Sequence, residues 1–405
     1  MRVLILNQFY IPDISPTAQL AASLAEDRAA LGDDVTVMTS RAGYVSPQAT
    51  ESGGATKNLR IIRLWTPQFG KRSHLRRLID YASYYFFVML RAVMMPKQDV
   101  IVSMTTPPFI ALAGALHKLL HPDTRLILWN MDCYPDVIER YGLIREGGFF
   151  SRLLRRFNRE IFERIDYLIG LDQAMVQLLR SNHAPHDLPT SVIPNWERAS
   201  IFSRDVYEAS RRNFQIPGSR EKFTILYLGN VGYGHLFDTV LDAAELLRGE
   251  PIQFVIYGGG ARWSKLDADR IARGLDNVVM KTYLAVPTEQ LPEHMSGAKC
   301  SLITLRDDAL GLMSPSKLHA SLAMGLPVIY VGPEKSNVDD AIKRFDCGVS
   351  LRHGQSAELA AFVRKMIVDE QALDAYRARA RRAFDEAYCD TRTLPQFDAV
   401  LRSQG

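Results

Sequence analysis

The sequence predicts an α/β protein that contains two doubly wound parallel sheets, one after the other. Three observations carry this prediction: the 405 residues can bury two cores, short apolar strands alternate with helical segments, and the alternation restarts after a polar connector near residues 196–220. Strand, loop, helix and strand in this order are typical of right-handed crossover units. We therefore expect one domain over residues 1–200, a second over 201–384, and a C-terminal helix at 385–405 that joins the first domain.

The first half begins with a buried strand at Val3–Leu6, a polar loop at Asn7–Thr17 and a helix at about Ala18–Leu31. Short apolar runs predict the other strands of this half: Val35–Met38, Ile61–Leu64, Val100–Ser103, Leu126–Trp129, Tyr167–Gly170 and Ser191–Pro194.

The second half repeats the same order, and helices from Ala357 onward complete the chain. Its predicted strands are Phe223–Leu228, Phe254–Tyr257, Val278–Thr282, Cys300–Thr304 and Val328–Val331. Ligands of such sheets bind beyond the carboxyl ends of the strands. Two facing domains would therefore offer one cleft between them.

Composition and charge exclude several classes of protein. A chain with 47% hydrophobic and 23% charged residues is globular and soluble, and a net charge of +4 is too small to indicate a nucleic-acid partner. The four cysteines lack C-x-x-C spacing, which argues against a zinc site or a disulfide framework and favours a reducing cytoplasm. The first apolar run is too short for a signal peptide, and none reaches the roughly 18 residues of a spanning helix.

The segment Ser314–Val328 predicts a polar loop, a helix and a Gly-Pro stop before a buried strand. Ser314 and Ser316 suit the N-cap position, Pro315 suits the first helical turn, and the unpaired amides there favour a phosphate. Lys317 adds a positive charge next to them. An ordinary helix start in an α/β domain produces the same pattern. The neighbouring loops favour an anion site.

Two glycine-rich loops follow predicted strands of the second half. Their backbone amides could approach a diphosphate closely, and the candidate residues are Gly229, Asn230, Gly232, Tyr233, Gly258 and Gly259. Tight turns that need positive φ angles explain the first of these loops equally well.

Seven short pieces spread over both halves together resemble a known family. They are Asn7–Thr17, Thr106–Pro108, Trp129–Pro135, Ile193–Asn195, Leu228–Gly232, Tyr257–Gly260, and Pro315–Leu318 with Gly325–Val328. The chain resembles the GT-B glycosyltransferases of the large family-4 type, particularly the branch that assembles bacterial surface polysaccharides such as colanic acid and O-antigen.

This resemblance implies two facing Rossmann-like domains and an enzyme that transfers a hexosyl or N-acetylhexosaminyl group from a nucleotide sugar. It implies retention at the anomeric carbon, no catalytic metal and no cofactor beyond the nucleotide-diphosphate sugar as co-substrate. The acceptor would be a saccharide, expected on a polyprenyl diphosphate, in lipopolysaccharide or other polysaccharide biosynthesis. The second domain would hold the donor and the first domain the acceptor.

The resemblance also exposes departures in the donor half. Relatives place an arginine and a lysine in the first glycine loop, where this chain has Asn230 and His235, so Lys317 would carry much of the positive charge. Relatives also carry two glutamates, one of which contacts the ribose, where this chain has Leu312 and Ala320. Either the donor is altered or activity is lost, unless other side chains compensate, of which the candidates are Ser316, His319 and Ser321.

Tyr283 lies where relatives hold the base and would either stack on it or pack in the core.

Asp132 is the catalytic candidate of the first half, because it follows the strand Leu126–Trp129 where the family presents a polar side chain to the reacting sugar. Its carboxylate would accept the acceptor proton or stabilise an oxocarbenium-like charge; alternatively it caps the turn at Tyr134–Pro135. The sequence offers no second carboxylate to pair with it as a nucleophile, which favours front-face displacement. Asp136 is a weaker candidate of the same kind.

The loop after the first strand contributes Asp13, Ser15 and Thr17. Asp13 is another weaker carboxylate candidate. Ser15 and Thr17 would contact a donor phosphate or the acceptor, although simple helix capping explains them equally well.

Basic residues at 71–77 precede an aromatic segment at Tyr81–Leu90, which suits the anionic inner face of a plasma membrane. A mostly buried crossover helix is an equal alternative. Arginines at helical spacing could extend the same basic face: Arg152, Arg155, Arg156, Arg159 and Arg164.

Three rival functions remain at this stage. They are a nucleotide-sugar epimerase or hydrolase of the same fold, a non-catalytic binding partner in glycan assembly, and an NAD-binding oxidoreductase. The last is disfavoured because no Gly-x-Gly-x-x-Gly follows the first strand.

Overall fold

The computed structural model describes residues 1–41, 57–67, 74–185, 187–282 and 286–403, with side chains at all of these except 74–78 and 80–81. The chain divides into two compact units. Unit 1 contains Met1–Ile193, Gly311–Met313 and Leu394–Gly405, and unit 2 contains Pro194–Leu310 and Ser314–Thr393. Each unit is built on one parallel sheet with helices, so the predicted α/β fold class is confirmed.

The sheet of unit 1 has seven strands in the order β3-β2-β1-β4-β5-β6-β7. Their bounds are β1 (Arg2–Leu6), β2 (Asp34–Ser40), β3 (Leu59–Leu64), β4 (Val100–Ser103), β5 (Arg125–Trp129), β6 (Tyr167–Gly170) and β7 (Thr190–Val192). All neighbours pair in parallel. The chain order reverses between β1 and β4, and this switch point is where such sheets bind ligands.

Six helices of unit 1 connect these strands. They are α1 (Pro16–Ala30), α2 (His74–Met94), α3 (Ala111–Leu120), α4 (Asp136–Arg140), α5 (Phe149–Phe162) and α6 (Gln173–Asn182). Except for the terminal Ala30, the alanines and leucines of α1 are buried, and Pro16 occupies its first turn, where a missing amide hydrogen costs nothing.

The sheet of unit 2 has six parallel strands in the order β10-β9-β8-β11-β12-β13. Their bounds are β8 (Phe223–Asn230), β9 (Ile252–Gly259), β10 (Val278–Thr282), β11 (Cys300–Thr304), β12 (Val328–Val331) and β13 (Gly348–Leu351). The chain order reverses between β8 and β11, which defines a second switch point.

The helices of unit 2 are α7 (Arg204–Ser210), α8 (Asp238–Leu246), α9 (Trp263–Ala272), α10 (Leu291–Met295), α11 (Lys317–Ala323), α12 (Asn337–Phe345), α13 (Ser356–Val368) and α14 (Glu370–Ala383). Short turns occur at Thr288–Gln290, Asp307–Ala309 and Phe384–Tyr388. Helix α15 (Asp390–Arg402) begins in unit 2 and continues into unit 1. Among the described helices, none combines the length and apolarity that a membrane crossing requires.

Inside unit 1, α15 is anchored by a buried ion-pair network. Arg28 of α1 is fully buried and binds both Asp33, with an Nε to Oδ2 distance of 2.8 Å, and Asp398 of α15. Phe397 packs against the indole of Trp129, with 4.6 Å between ring centroids. These contacts attach the last helix to the first sheet.

Candidate functional site

The two glycine-rich loops of unit 2 lie side by side at the carboxyl edge of its sheet, next to the switch point. β8 and β9 pair in parallel, so Gly229 is opposite Gly258 and Asn230 is opposite Gly259. A Cβ atom on Gly258 would lie 1.9 Å from the carbonyl oxygen of Gly229. Packing of one loop on the other therefore requires glycine at 258, independently of any ligand. Gly259 has open space around it.

The exposed part of these loops contains Asn230 and Tyr233, whose exposed fraction is 44%. Gly229 has a φ of +136°, a value that favours glycine. The half-buried Gly232 lies next to the Asn230 amide, since a Cβ there would be 2.9 Å from Nδ2. Predicted Tyr283 lies outside the described residues.

Lys317 is brought directly against the first glycine loop. A Cβ on Gly229 would come within 2.9 Å of its Cε. Its ammonium lies 4.7 Å from the centroid of the Tyr227 ring and 3.4 Å from Nε2 of His235. Burial lowers the pKa of Lys317 to about 8. The cation is therefore poorly solvated, and it lies close to Gly229.

Hydrogen bonds hold the imidazole of His235 in one orientation next to this cation. Nδ1 lies 2.6 Å from the carbonyl oxygen of Thr304, at the end of β11, so Nδ1 donates and Nε2 is left to accept from Lys317. Burial, and the nearby Lys317 charge, lower the pKa of His235 to about 3. The imidazole is neutral at physiological pH. In the sequence, His235 stands out only as a replacement for a basic residue, because its hydrogen bond to the distant strand β11 leaves no local sequence pattern.

The start of α11 differs from the prediction. The helix begins at Lys317, and Ser316 occupies the N-cap position but makes no side-chain capping bond. The amides of Leu318 and His319 already donate to Pro315 and Ser316, at 3.4 and 3.3 Å. The predicted side-chain cap at Ser316 is therefore wrong. Ser314 is half-buried, Pro315 is buried and Ser316 is exposed.

His319 presents an unused acceptor in the same unit. Its Nδ1 lies 3.0 Å from the Ser316 carbonyl oxygen and therefore donates, while the buried Nε2 has no protein partner among the described residues. Burial lowers the pKa of His319 to about 4. Ala320, where relatives carry a glutamate, is buried beside it with 8% of its surface exposed.

Asp132 lies near the switch point of unit 1, three residues beyond the end of β5. Its backbone amide donates to the Thr105 hydroxyl, at 3.2 Å, and its backbone forms an antiparallel bridge with Met313. Burial raises the pKa of the half-buried Asp132 carboxyl to about 6. Within the described ranges no protein group donates a hydrogen bond to this carboxylate, so the turn-capping alternative gains no support. Leu312, the other glutamate replacement, is buried and its carbonyl accepts from Cys133.

The loop after β1 contains the other predicted residues of the first half. Asp13 accepts a hydrogen bond from the Ser15 amide at 2.7 Å, which shapes the loop locally. Ser15 occupies the N-cap position of α1 but makes no side-chain capping bond, contrary to the capping alternative, and its buried hydroxyl has no protein partner in the described part of the chain. Thr17 lies inside α1 rather than at its cap.

Asp136 is bound within the protein, because it accepts from Asn182 at 2.8 Å and pairs with His183 at 2.5 Å. These two contacts give Asp136 a structural role within unit 1. Over the described residues, no group of three or more His, Cys, Asp or Glu side chains is arranged to hold a metal ion.

Two family models together match most of the chain. The family model described as "Glycosyl transferase 4-like domain" matches residues 17–196, and that described as "Glycosyl transferases group 1" matches residues 209–383. WcaI of Escherichia coli (strain K12), named as a colanic acid biosynthesis glycosyl transferase, is 25% identical over 402 residues, which cover 95% of this chain and 97% of that protein.

Solved structures share the fold. HepE from Anabaena, in complex with UDP and glucose, has a TM-score of 0.71 at 15% identity. The match covers 100% of this chain and 100% of HepE. WaaG, a glycosyltransferase involved in lipopolysaccharide biosynthesis, has a TM-score of 0.71 at 16% identity over 99% of this chain and 100% of that chain. The fold is that of the GT-B glycosyltransferases. The chain belongs to the family-4 type of these enzymes, with a 4-like first domain and a group 1 second domain.

Proposed function

We propose that the chain is a retaining glycosyltransferase that moves a sugar from a nucleotide-diphosphate donor to a saccharide acceptor in bacterial surface polysaccharide assembly. The observation that carries the proposal is the poorly solvated ammonium of Lys317 beside the Gly229 loop. Such a cation gains much from an anionic ligand, because the ligand stabilises the charge in place of the water that burial excludes. The names of WcaI and WaaG support the polysaccharide context.

The donor is proposed to bind in unit 2. Its diphosphate would pair with Lys317 and the amides of the glycine loops. A ribose hydroxyl would donate to Nε2 of His319, which stands next to Ala320 and so replaces the missing carboxylate. The complex of HepE with UDP and glucose supports a nucleoside diphosphate as the ligand class.

The acceptor is proposed to bind in unit 1, as a saccharide on a polyprenyl diphosphate, and to receive a hexosyl or N-acetylhexosaminyl group. Its hydroxyl attacks the anomeric carbon on the face from which the diphosphate departs. The carbon–oxygen bond to the diphosphate breaks, and the acceptor proton passes to that leaving group. Ionised Asp132 stabilises the oxocarbenium-like charge, and Lys317 neutralises the leaving diphosphate without a metal.

We further propose that the chain works in the cytoplasm in contact with the inner face of the plasma membrane, where a polyprenyl-linked acceptor is anchored. The basic residues at 71–77 lie where side chains are not described. The aromatic segment of α2 is mixed: Tyr84 and Val88 are buried, whereas Phe86 is 63% exposed. The crossover-helix alternative therefore accounts for part of this segment.

Donor binding tests the proposal directly. A thermal-shift screen of UDP-, GDP-, ADP- and dTDP-sugars should find one donor that raises the melting temperature, because a ligand of the folded state stabilises it. Lys317→Ala should weaken that binding about 10- to 100-fold, the worth of a charge-assisted hydrogen bond. Lys365→Ala, which removes an exposed lysine of α13, is the control and should bind normally. Unchanged affinity in Lys317→Ala would refute the donor site.

Turnover separates the rival functions. Sugar transfer to a lipid-linked saccharide supports the proposal, whereas product from the donor alone indicates an epimerase or hydrolase. Binding without turnover across donors and acceptors indicates a non-catalytic partner, an alternative that the apolar Leu312 and Ala320 favour.

A further inference from the structure

Helix α5 exposes an apolar stripe to solvent. Phe149 and Phe150 are 71% and 67% exposed, and Leu153 and Phe157 are each 37% exposed. At about 100° per residue, positions 149, 150, 153 and 157 lie on one side of the helix. The opposite side is buried through Ser151, Asn158, Ile161 and Phe162. Exposed aromatic rings in a continuous stripe mark an interaction surface.

A row of arginines runs along the same helix beside this stripe. Arg152, Arg156 and Arg159 are exposed, and in the described part of the chain none has an ion-pair partner. Two other arginines are already used, because Arg155 pairs with Glu139 and Arg164 with Glu160. The solvent face of α5 is therefore both aromatic and cationic.

We propose that α5 docks on an anionic lipid bilayer, with Phe149 and Phe150 entering the interface and Arg152, Arg156 and Arg159 pairing with headgroups. Binding to an anionic bilayer uses aromatic rings that enter the acyl boundary together with arginines that pair with the headgroups, and α5 presents both. A second copy of the chain fits less well, because two such faces would bring two arginine rows together. The inference rests on the membrane contact of the proposed function and assigns it to a surface.

Vesicle binding by the full chain tests this surface. The protein should sediment with phosphatidylcholine vesicles that contain phosphatidylglycerol, less with phosphatidylcholine alone, and less in high salt. The double variant Phe149→Ser/Phe150→Ser should bind at least about tenfold more weakly, from the lost apolar burial of two rings. Arg152→Glu/Arg156→Glu should lose the preference for phosphatidylglycerol.

Val368→Ser is the matched control, since Val368 is 84% exposed on α13 in the other unit, and it should bind vesicles like the unchanged chain. The melting temperature of each variant, measured with and without donor, reports folding and donor binding separately from vesicle binding. Vesicle binding without sugar transfer would refute the proposed activity but not the proposal that α5 docks on the bilayer. Equal binding by the phenylalanine variant, indifference to phosphatidylglycerol, or a dimer that this variant dissociates would overturn the docking proposal.

Discussion

Lys317 and His235 form a pair in which one partner holds the charge. His235 donates through Nδ1 to Thr304 and offers Nε2 to the ammonium, while its low pKa keeps it neutral. The pKa of Lys317, lowered to about 8 by burial, makes it the group that changes charge near physiological pH. Tyr227, whose ring lies 4.7 Å from the ammonium, contributes a π face rather than a counter-ion.

Two ionisations should therefore shape the pH profile of kcat/KM. Asp132, with a pKa raised to about 6, must lose its proton to stabilise positive charge, so activity should rise through pH 6. Lys317 must keep its proton, so activity should fall through about pH 8. We expect a bell-shaped profile with its maximum near pH 7, measured with a donor that itself does not titrate there.

Variants assign the two limbs of this profile. Asp132→Asn should lower kcat about 100-fold with donor affinity nearly unchanged, and should remove the acid limb. Lys317→Arg should move the alkaline limb upward, because a guanidinium stays protonated. An acid limb that survives in Asp132→Asn would return Asp132 to a structural role.

The position of Lys317 was predictable, but its partners were not. Parallel strands end at one edge of a sheet, so a lysine at a helix start there is expected near the glycine loops. The tautomers of His235 and His319 depend on carbonyl groups of Thr304 and Ser316 in the folded chain. A sequence pattern contains no such information.

Among the elements, β13 was missed by the sequence prediction. Gly348 and Ser350 interrupt its apolar residues, so the run looks like a loop. In the folded protein a Cβ on Gly348 would lie 2.0 Å from the Val328 carbonyl oxygen, so the strand needs glycine for close pairing with β12. The five other strands of this sheet contain longer apolar runs and were predicted. Strand β13 therefore forms because it pairs with β12 in the folded protein, not because its own residues favour a strand.

The paired glycine loops provide a test at the same scale. Gly258→Ala should destabilise the protein by about 2 kcal/mol or more, because its Cβ would meet the Gly229 backbone at 1.9 Å. Gly259→Ala should cost less than about 1 kcal/mol, since nothing lies within 4 Å of its Cβ position. Urea denaturation compares the two. Equal losses in the free energy of unfolding would show that the two glycine loops can move apart without a large cost.

At the scale of the whole molecule, the buried Arg28 connects the beginning of the chain with its end. Arg28→Met leaves buried Asp33 with the N-terminal ammonium but without its guanidinium, and we expect a loss of about 3 kcal/mol in the free energy of unfolding. Arg248→Met is the control, because Arg248 is half-exposed in an ion pair with Glu245 and should cost below about 1 kcal/mol. Chemical denaturation that found no difference between the variants would show that α15 holds without Arg28.

Because Arg28 and Asp398 are separated by 370 positions, a ribosome adding about 5–20 residues per second needs roughly 20–70 s between them. During that interval the newborn amino-terminal half has no Phe397 to cover Trp129. Unit 2 ends at Thr393, so all of its residues are made before Phe397. The Trp129 indole therefore lacks this aromatic neighbour until synthesis of the chain is nearly complete.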